Sequence, residues 1–364
     1  MDYFGKSDAL TEHKYYPIID AHIHIRTLKR ALNQNDVLKQ SGLRGMCIQC
    51  LPRLSDEFLT NNVNSMLLKL LLQGEIYSFG GFYRPEVPAG AQTQNYLQEA
   101  EQLIEMGCDG IKMYDAKPLV RKELQMPLDC EAFEPMYRYL EKEGIPIMNH
   151  VGDPANFWDG DNAPEIAKQY GWTYDRSYIH PENYFKEVSV VLARHPDLKM
   201  ILAHFFFLSV DRPRLEAFLD RFDNAYIDIT PGTEMYIDFT NEPQQWNEFF
   251  AKYQDRIIFG TDNGFFGEKC YEIDAMRTFL EGERAFDAWE MHIRGIGLDE
   301  SVLRKIYYDN FKGIVHEPKI PDLARVAKEY KQALEKALKS QLKDDLIEDL
   351  NDARDVLARL GVNL

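Results

Sequence analysis

Six side chains that can bind a metal ion or move a proton follow short apolar runs of the sequence. His22 and His24 are two residues apart in DAHIH, and residues at this spacing share one face of a β-strand. Their imidazoles are therefore able to bind one cation together. The other four groups follow later apolar runs: Lys112, His150, His204 and Asp262. Because the carboxyl ends of parallel strands converge at one face of a barrel, the pattern predicts a single site there.

Each of these signals has a structural explanation when it is taken alone. A single histidine after an apolar run is commonly a hydrogen-bonded structural residue. Asp262, in GTDN, is well suited to cap the following helix, and Lys112 is a surface residue if its strand ends one position earlier. The joint placement of all six groups at the ends of five apolar runs favours a functional site.

Eight apolar runs supply the strands that would position these groups. They show little polar alternation, which is typical of strands buried on both faces. The predicted strands are 16–24, 44–51, 76–83, 109–115, 145–150, 198–204, 225–230 and 256–262, and amphipathic helical patterns lie at 55–74, 94–107, 131–144 and 211–222. This alternation predicts an α/β fold, a (β/α)8 TIM barrel. An open doubly wound sheet is the alternative, but the first strand lacks the Gly-rich phosphate turn of that fold.

Composition limits the classes of partner. The chain has 364 residues, 45% of them hydrophobic, and a formal net charge of -17. Such an acidic protein is a poor partner for nucleic acid or an anionic membrane, so a small-molecule substrate is expected. The start MDYFGKSDAL does not resemble a signal peptide, and no apolar run approaches the ~20 residues of a membrane-spanning helix. We therefore expect a cytoplasmic protein.

Two regions depart from the simple barrel pattern. We place the barrel at residues 1–320 and a C-terminal amphipathic helical extension at residues 321–364. The extension has leucines at four-residue spacing, which indicates a helix with one apolar side. These are Leu334, Leu338, Leu342, Leu346 and Leu350. The apolar side either packs against its own barrel or forms a contact in a homo-oligomer.

The second departure is a long aromatic-rich segment after the fifth predicted strand, at residues 151–181. Its aromatic side chains either form an apolar lid over a ring-bearing substrate or keep the long loop folded. They are Phe157, Trp158, Trp172 and Tyr174.

Five segments resemble the amidohydrolase superfamily in their order and spacing. They are DAHIH, IPIMNH, HPDLKMILAH, AYIDIT and IIFGTDNG. The resemblance is closest to the "amidohydrolase 2" branch, which includes aminocarboxymuconate-semialdehyde decarboxylase and related hydrolases and decarboxylases. It covers residues 16–317 and leaves the C-terminal helical pattern outside.

The resemblance implies that His22, His24, His150 and Asp262 bind a divalent metal, with zinc expected first and manganese as the alternative. His204 would lie beside the metal, either as a ligand to a second ion or as a group that polarises the substrate. One ion is favoured over two. Lys112 is the ambiguous position, because a lysine on the fourth strand is carboxylated and bridges the ions in two-metal members.

This ligand set predicts hydrolysis. Three neutral imidazoles and one carboxylate around a zinc-like ion lower the pKa of its water toward about 7. Asp262 then accepts the proton of that water and returns it to the leaving group. The first prediction is therefore a metal-dependent hydrolase acting on an amide, lactone or ester.

Two other functions remain open. The first is a metal-dependent decarboxylase or hydratase of the aminocarboxymuconate-semialdehyde decarboxylase type. Some decarboxylating relatives begin with Glu-x-His, so His22 favours hydrolysis. The second is a ligand-binding barrel without catalysis, which the complete set of titratable groups disfavours.

Arginines near the predicted barrel mouth suggest the substrate's charge. Arg53 and Arg84 follow the second and third strands, and Arg26 follows His24. A guanidinium there would pair with a substrate carboxylate, which predicts a small carboxylated substrate. The alternative is that each is an ordinary surface residue.

Overall fold

Eight parallel strands form one sheet in which each strand pairs with the next along the chain. The computed structural model describes residues 16–33, 42–84, 95–232, 235–264, 271–339 and 344–364. The strands are β1 (Ile18–Ile23), β2 (Leu43–Gln49), β3 (Glu75–Gly81), β4 (Gly110–Ala116), β5 (Ile147–Val151), β6 (Met200–Leu202), β7 (Ala225–Asp228) and β8 (Ile257–Ile258).

Hydrogen bonds join the end of β1 to the residues that follow β8 and bring the two ends of the sheet together. The Ala21 N–H donates to the Phe259 carbonyl at 3.0 Å, and the His24 N–H donates to the Asn263 carbonyl at 2.8 Å. The predicted TIM barrel is therefore confirmed, and all eight predicted strands overlap observed ones. The later strands are shorter than predicted because the chain turns early into the loops that carry the polar side chains.

Helices follow most of the strands, as the amphipathic patterns predict. They are α1 (Asn61–Leu71), α2 (Tyr96–Met106), α3 (Pro118–Leu124), α4 (Glu134–Glu143), α5 (Glu165–Gln169), α6 (Pro181–Arg194), α7 (Arg212–Arg221), α8 (Met235–Asn241), α9 (Pro243–Lys252), α10 (Tyr271–Glu281), α11 (Glu300–Arg304), α12 (Asn310–Val315), α13 (Leu323–Lys339) and α14 (Asp344–Arg359). The hairpin of β9 (Ala285–Ala288) and β10 (Met291–Arg294) was not predicted. None of the described helices is long and apolar enough to cross a membrane.

The apolar side chains inside the barrel form a core separate from the one between strands and helices. Phe311, Ile314 and Val315 of α12 belong to this inner core, and the Phe311 ring lies 5.4 Å from that of Tyr77. The interior is thus filled from the amino end of the strands, which leaves the carboxyl end for polar groups.

Cys47 and Cys50 lie on the two sides of the barrel wall, one in each core. Cys47 lies in the inner core and Cys50 in the outer one, and both are buried free thiols. Their spacing places them on opposite sides of the sheet wall, as a strand requires. They fill space in the two cores and do not form a common site.

The C-terminal region consists of two helices that pack on the barrel. Leu346 and Leu350 of α14 and Tyr330 of α13 are buried in the outer core, whereas Leu338 is 65% exposed. Leu342 lies outside the described residues. The buried side of the predicted leucine stripe is therefore covered by the protein's own barrel.

The buried carboxylate of Asp349 on α14 accepts hydrogen bonds from residues that follow β1 and β2. Asp349 accepts hydrogen bonds from the Leu28 N–H and the Asn64 amide, each at 2.7 Å, and one from the Thr60 hydroxyl. Asp349 is only 2% exposed, so water cannot replace these contacts at low cost.

We expect Asp349→Ala to lower the free energy of unfolding by about 1–3 kcal/mol, because three buried donors lose their acceptor. Urea denaturation monitored by circular dichroism measures the change. Asp355→Ala is the matched control, since Asp355 is on the same helix and is exposed. Equal stability of the two variants would show that the Asp349 contacts do not stabilise the fold.

Candidate metal centre

Four of the six predicted site residues are in direct contact at the carboxyl end of the barrel. His22 Nε2 and His24 Nε2 are 3.2 Å apart. Asp262 Oδ1 lies 3.1 Å from His24 Nε2 and 3.6 Å from His22 Nε2. The Lys112 amine lies 3.1 Å from His22 Nε2. Parallel strands have thus brought groups from β1, β4 and the end of β8 to one point.

The other two histidines adjoin this cluster. His204, His22 and Asp262 each place one potential ligand atom within 4.8 Å of the others. The His150 ring centroid is 4.9 Å from that of His204, and its Nε2 lies 3.3 Å from Asp153 Oδ1. All six predicted residues are therefore at one mouth of the barrel.

Hydrogen bonds behind His22 and His24 determine which nitrogen faces the cluster. His22 Nδ1 lies 2.8 Å from Asp228 Oδ2, and His24 Nδ1 lies 2.7 Å from the Gln49 carbonyl oxygen. A carboxylate and a carbonyl only accept hydrogen bonds, so both Nδ1 atoms carry the proton. We therefore assign a lone pair to each Nε2.

The same reasoning applies to His204. Its Nδ1 lies 3.3 Å from the Thr230 hydroxyl, which donates its own proton to Asp228 Oδ1. Thr230 must therefore accept from His204 Nδ1–H, and His204 Nε2 retains a lone pair.

The same reasoning gives His150 the opposite tautomer. Its Nε2 faces the Asp153 carboxylate, which also accepts from the Lys117 amine at 2.6 Å and the Tyr174 hydroxyl at 2.5 Å. His150 Nε2 therefore donates to Asp153, and Nδ1 carries the lone pair.

Burial keeps the imidazoles of His22, His150 and His204 neutral. It lowers the pKa of His22 to about 3, with a further contribution from the Lys112 charge. Burial and the Lys117 charge lower the pKa of His150 to about 3, and burial also lowers that of His204. Neutral imidazole is the form that binds metals.

The carboxylates of the site stay ionised. Burial raises the pKa of Asp228, but His22 and Thr230 bring it down to about 2. Loss of solvation by itself raises the pKa of Asp262, but the neighbouring imidazoles of His24, His22 and His204 hold it well below its usual range.

The donor set fits a divalent cation. The lone pairs assigned to His22 and His24 face each other at 3.2 Å, where they repel unless a proton or a metal ion lies between them. Atoms about 2.0–2.1 Å from a tetrahedral zinc ion are about 3.3–3.4 Å from one another. The three distances among His22, His24 and Asp262, from 3.1 to 3.6 Å, bracket this value.

Lys112 lies within the cluster and does not reach the surface. It is 2% exposed, and burial lowers the pKa of its amine to about 8. Its contact with His22 Nε2 shows that the side chain points into the barrel mouth. The alternative of a surface lysine is therefore wrong.

A left-handed turn presents His204 to the site. The four residues His204–Phe207 have φ values between 51° and 56°, and none of them is glycine. Left-handed backbone costs about 1–2 kcal/mol for each such residue. Asp228 accepts from the His204 N–H at 2.7 Å, and the Phe207 ring stacks on the imidazole at 5.3 Å. These contacts hold the strained turn in place.

The side chains of the two arginines predicted to bind substrate form their ion pair and hydrogen bonds within the protein. Arg53 is 3% exposed, forms an ion pair with Asp115 and donates to the Tyr83 carbonyl at 2.9 and 3.1 Å. Arg84 donates to the carbonyls of Arg53 and Leu54 at 2.7 and 2.9 Å. Their geometry supports structural roles and gives no support to a substrate contact.

The aromatic residues after β5 pack chiefly on one another. Phe157 and Tyr174 are buried in a small core of their own, and the Trp158 ring lies 4.6 Å from Tyr174. Trp172 stacks near Phe157 at 6.5 Å. This packing keeps the long loop folded, and the Tyr174 hydroxyl connects it to Asp153.

Sequence reasoning missed the residues that orient the imidazoles. Asp228, Thr230 and Asp153 all lie at ends of strands that converge on the site. A signal was present for Asp228, because a carboxylate in the apolar run AYIDIT is unusual for a buried strand. Asp153, three residues after His150, had no comparable signal.

The fold and the cluster of imidazoles and carboxylate together indicate the class of protein. Imidazoles and a carboxylate gathered at the carboxyl ends of the strands are typical of a TIM-barrel enzyme. The amidohydrolase family model matches residues 78–310, which is more than half of the chain. The chain therefore belongs to the amidohydrolase family, whose members are metal-dependent enzymes. His22 and His24 precede the matched region.

Solved structures are similar to this chain at low sequence identity. A 4-oxalomesaconate hydratase from Rhodopseudomonas palustris is 14% identical, with a TM-score of 0.51 over 87% of this chain and 99% of that chain. A 2,6-dihydroxybenzoate decarboxylase from Rhizobium is 16% identical, with a TM-score of 0.47 over 83% and 99%. A dihydroxybenzoic acid decarboxylase from Polaromonas with bound manganese is 12% identical, with a TM-score of 0.47 over 82% and 97%. No protein of curated function matches the sequence.

Proposed function

We propose that this protein is a hydrolase that cleaves an amide, lactone or ester bond of a small molecule with Asp262 as the proton carrier. The observation that carries the proposal is the position of the Asp262 carboxylate. Its Oδ1 contacts His24 and His22, yet its side chain is 38% exposed. The carboxylate therefore belongs to the donor cluster and is open to water and substrate.

The cofactor we propose is zinc, with manganese as the alternative. His22 and His24 would bind it through Nε2, His150 through Nδ1, and Asp262 through its carboxylate. A bound divalent cation polarises a carbonyl group and lowers the pKa of water to about 7. The assigned His204 tautomer makes that residue an acceptor, which favours a ligand or base role over polarising the substrate.

Asp262 performs the proton transfers in this proposal. It accepts a proton from the attacking water as the new carbon–oxygen bond forms. It then returns the proton to the leaving nitrogen or oxygen as the original bond breaks. Both imidazole contacts are to Oδ1, so Oδ1 is the oxygen that lies within the ligand cluster.

Hydrolysis is preferred to decarboxylation because the first strand ends in His22-x-His24. Some decarboxylating relatives have Glu in place of the first histidine. We leave the predicted substrate carboxylate out of the proposal, since the Arg53 guanidinium is already paired with Asp115. The substrate class is thus a small molecule with a cleavable acyl bond.

A metal and substrate screen tests the proposal. Purified protein is analysed for zinc and manganese, stripped with a chelator and reloaded with each ion. It is then assayed against lactones, esters and amides, and for CO2 release from hydroxybenzoates and muconate semialdehydes. Metal-dependent acyl cleavage is the expected result. CO2 release without acyl cleavage would replace hydrolysis by the decarboxylase alternative, and absence of bound metal would contradict both.

We expect Asp228→Asn to weaken zinc binding by about 10- to 100-fold, as is typical when a group that orients a ligand is lost. An amide N–H facing His22 Nδ1 forces the imidazole proton onto Nε2, which removes its lone pair from the cluster. Competition with a chromophoric chelator measures the affinity. Asp223→Asn is the control, because Asp223 is fully exposed near the same strand. Unchanged affinity in Asp228→Asn would contradict the tautomer assignment.

A further inference from the structure

The barrel mouth is unusually rich in acceptors. The tautomers assigned to His22, His24, His150 and His204 each present a lone pair, and Asp262 presents a carboxylate. The Lys112 amine is in contact with His22. An acyl substrate brings a carbonyl oxygen that develops negative charge, and a hydrogen-bond donor stabilises that charge alongside the cation.

Tyr114 is placed to supply that donor. It lies on β4 two residues after Lys112, and residues two apart on a strand share a face. Because the Lys112 side chain reaches His22, Tyr114 points toward the same mouth. Its ring centroid is 5.1 Å from that of His150, which places the phenol beside the histidines of the site.

The Tyr114 hydroxyl makes no hydrogen bond to any residue that the structure describes, and its side chain is only half-buried. By contrast, the Tyr174 hydroxyl donates to Asp153, the carboxylate that also faces His150. The Tyr114 proton is therefore available to a bound molecule.

We propose that Tyr114 is a catalytic residue that donates a hydrogen bond to the carbonyl oxygen of the acyl substrate. This inference rests on the proposed function. Phe207 contacts the His150 ring as well, at 5.6 Å, and adds an apolar surface near the same imidazole. The site thus combines a neutral donor with a nearby apolar surface.

The test compares Tyr114→Phe with Tyr184→Phe. The Tyr184 hydroxyl is also without a hydrogen-bond partner among the described residues, but it is buried in the outer core. Each substitution removes one such hydroxyl and keeps the ring. Both variants and the wild type are loaded with Co2+, whose visible spectrum reports the ligands, and are titrated with acetohydroxamate as a carbonyl-bearing probe.

We expect all three proteins to bind Co2+ with the same spectrum. Tyr114→Phe should bind acetohydroxamate about 10- to 100-fold more weakly than the other two, the effect of losing a hydrogen bond to a charged oxygen. With the substrate found by the screen, kcat should fall while metal content stays constant. Equal probe affinity in all three would overturn the role of Tyr114 alone. Failure of the wild type to bind Co2+ would overturn the proposed function and this inference together.

Discussion

Asp262→Asn is expected to lower kcat by about 10²–10⁴-fold, the usual contribution of a general acid–base group. An amide keeps the size of the carboxylate but cannot accept and return a proton. The substitution also preserves the backbone, because residue 262 has a φ of 57° and asparagine tolerates left-handed conformation better than most residues. The backbone should therefore be unchanged, and the metal content of the variant separates a lost proton transfer from a lost ligand.

The measurement is the steady-state rate with the best substrate of the screen, together with the zinc content of each variant. Asp161→Asn is the matched control, since Asp161 is exposed in the loop after β5. A small change in KM beside a large fall in kcat would support proton transfer by Asp262. A turnover close to that of the wild type would contradict it.

Arg53→Met is expected to lower the free energy of unfolding by about 3–5 kcal/mol, because it leaves the charge of Asp115 buried without its partner. Both side chains of this ion pair are at most 3% exposed. The planar guanidinium also donates to the Tyr83 carbonyl and lies over the rings of Phe82 and Tyr96. Methionine fills part of the space but supplies none of the donors.

Thermal and urea unfolding measure this loss. The double variant Arg53→Met/Asp115→Leu should recover much of it, since replacing both members of a buried pair by apolar residues is often close to neutral. Arg84→Met, at an exposed position, is the single-site control. If Arg53 instead binds substrate, Arg53→Met would keep its stability and raise KM.

The predicted fold agrees with the structure because it depends on local patterns. Each buried strand is a short apolar run, and each helix has one apolar side, so both periods are visible in the sequence. The hairpin β9–β10 was missed because its burial alternates over only four residues in β9. The positions of His22, His24, Lys112, His150, His204 and Asp262 at one mouth follow from the parallel direction of the strands.

By itself, the sequence determined that eight strands form a barrel and that imidazoles, an amine and a carboxylate meet at its carboxyl end. Only the tertiary structure decided which nitrogen of each imidazole faces the cluster, because Asp228 lies 206 residues from its partner His22. It likewise decided that Arg53 pairs with Asp115 and that His204–Phe207 form a left-handed turn. Periodicity reports which side of a strand or helix is buried. Hydrogen-bond partners depend on which distant segments the closed barrel places side by side.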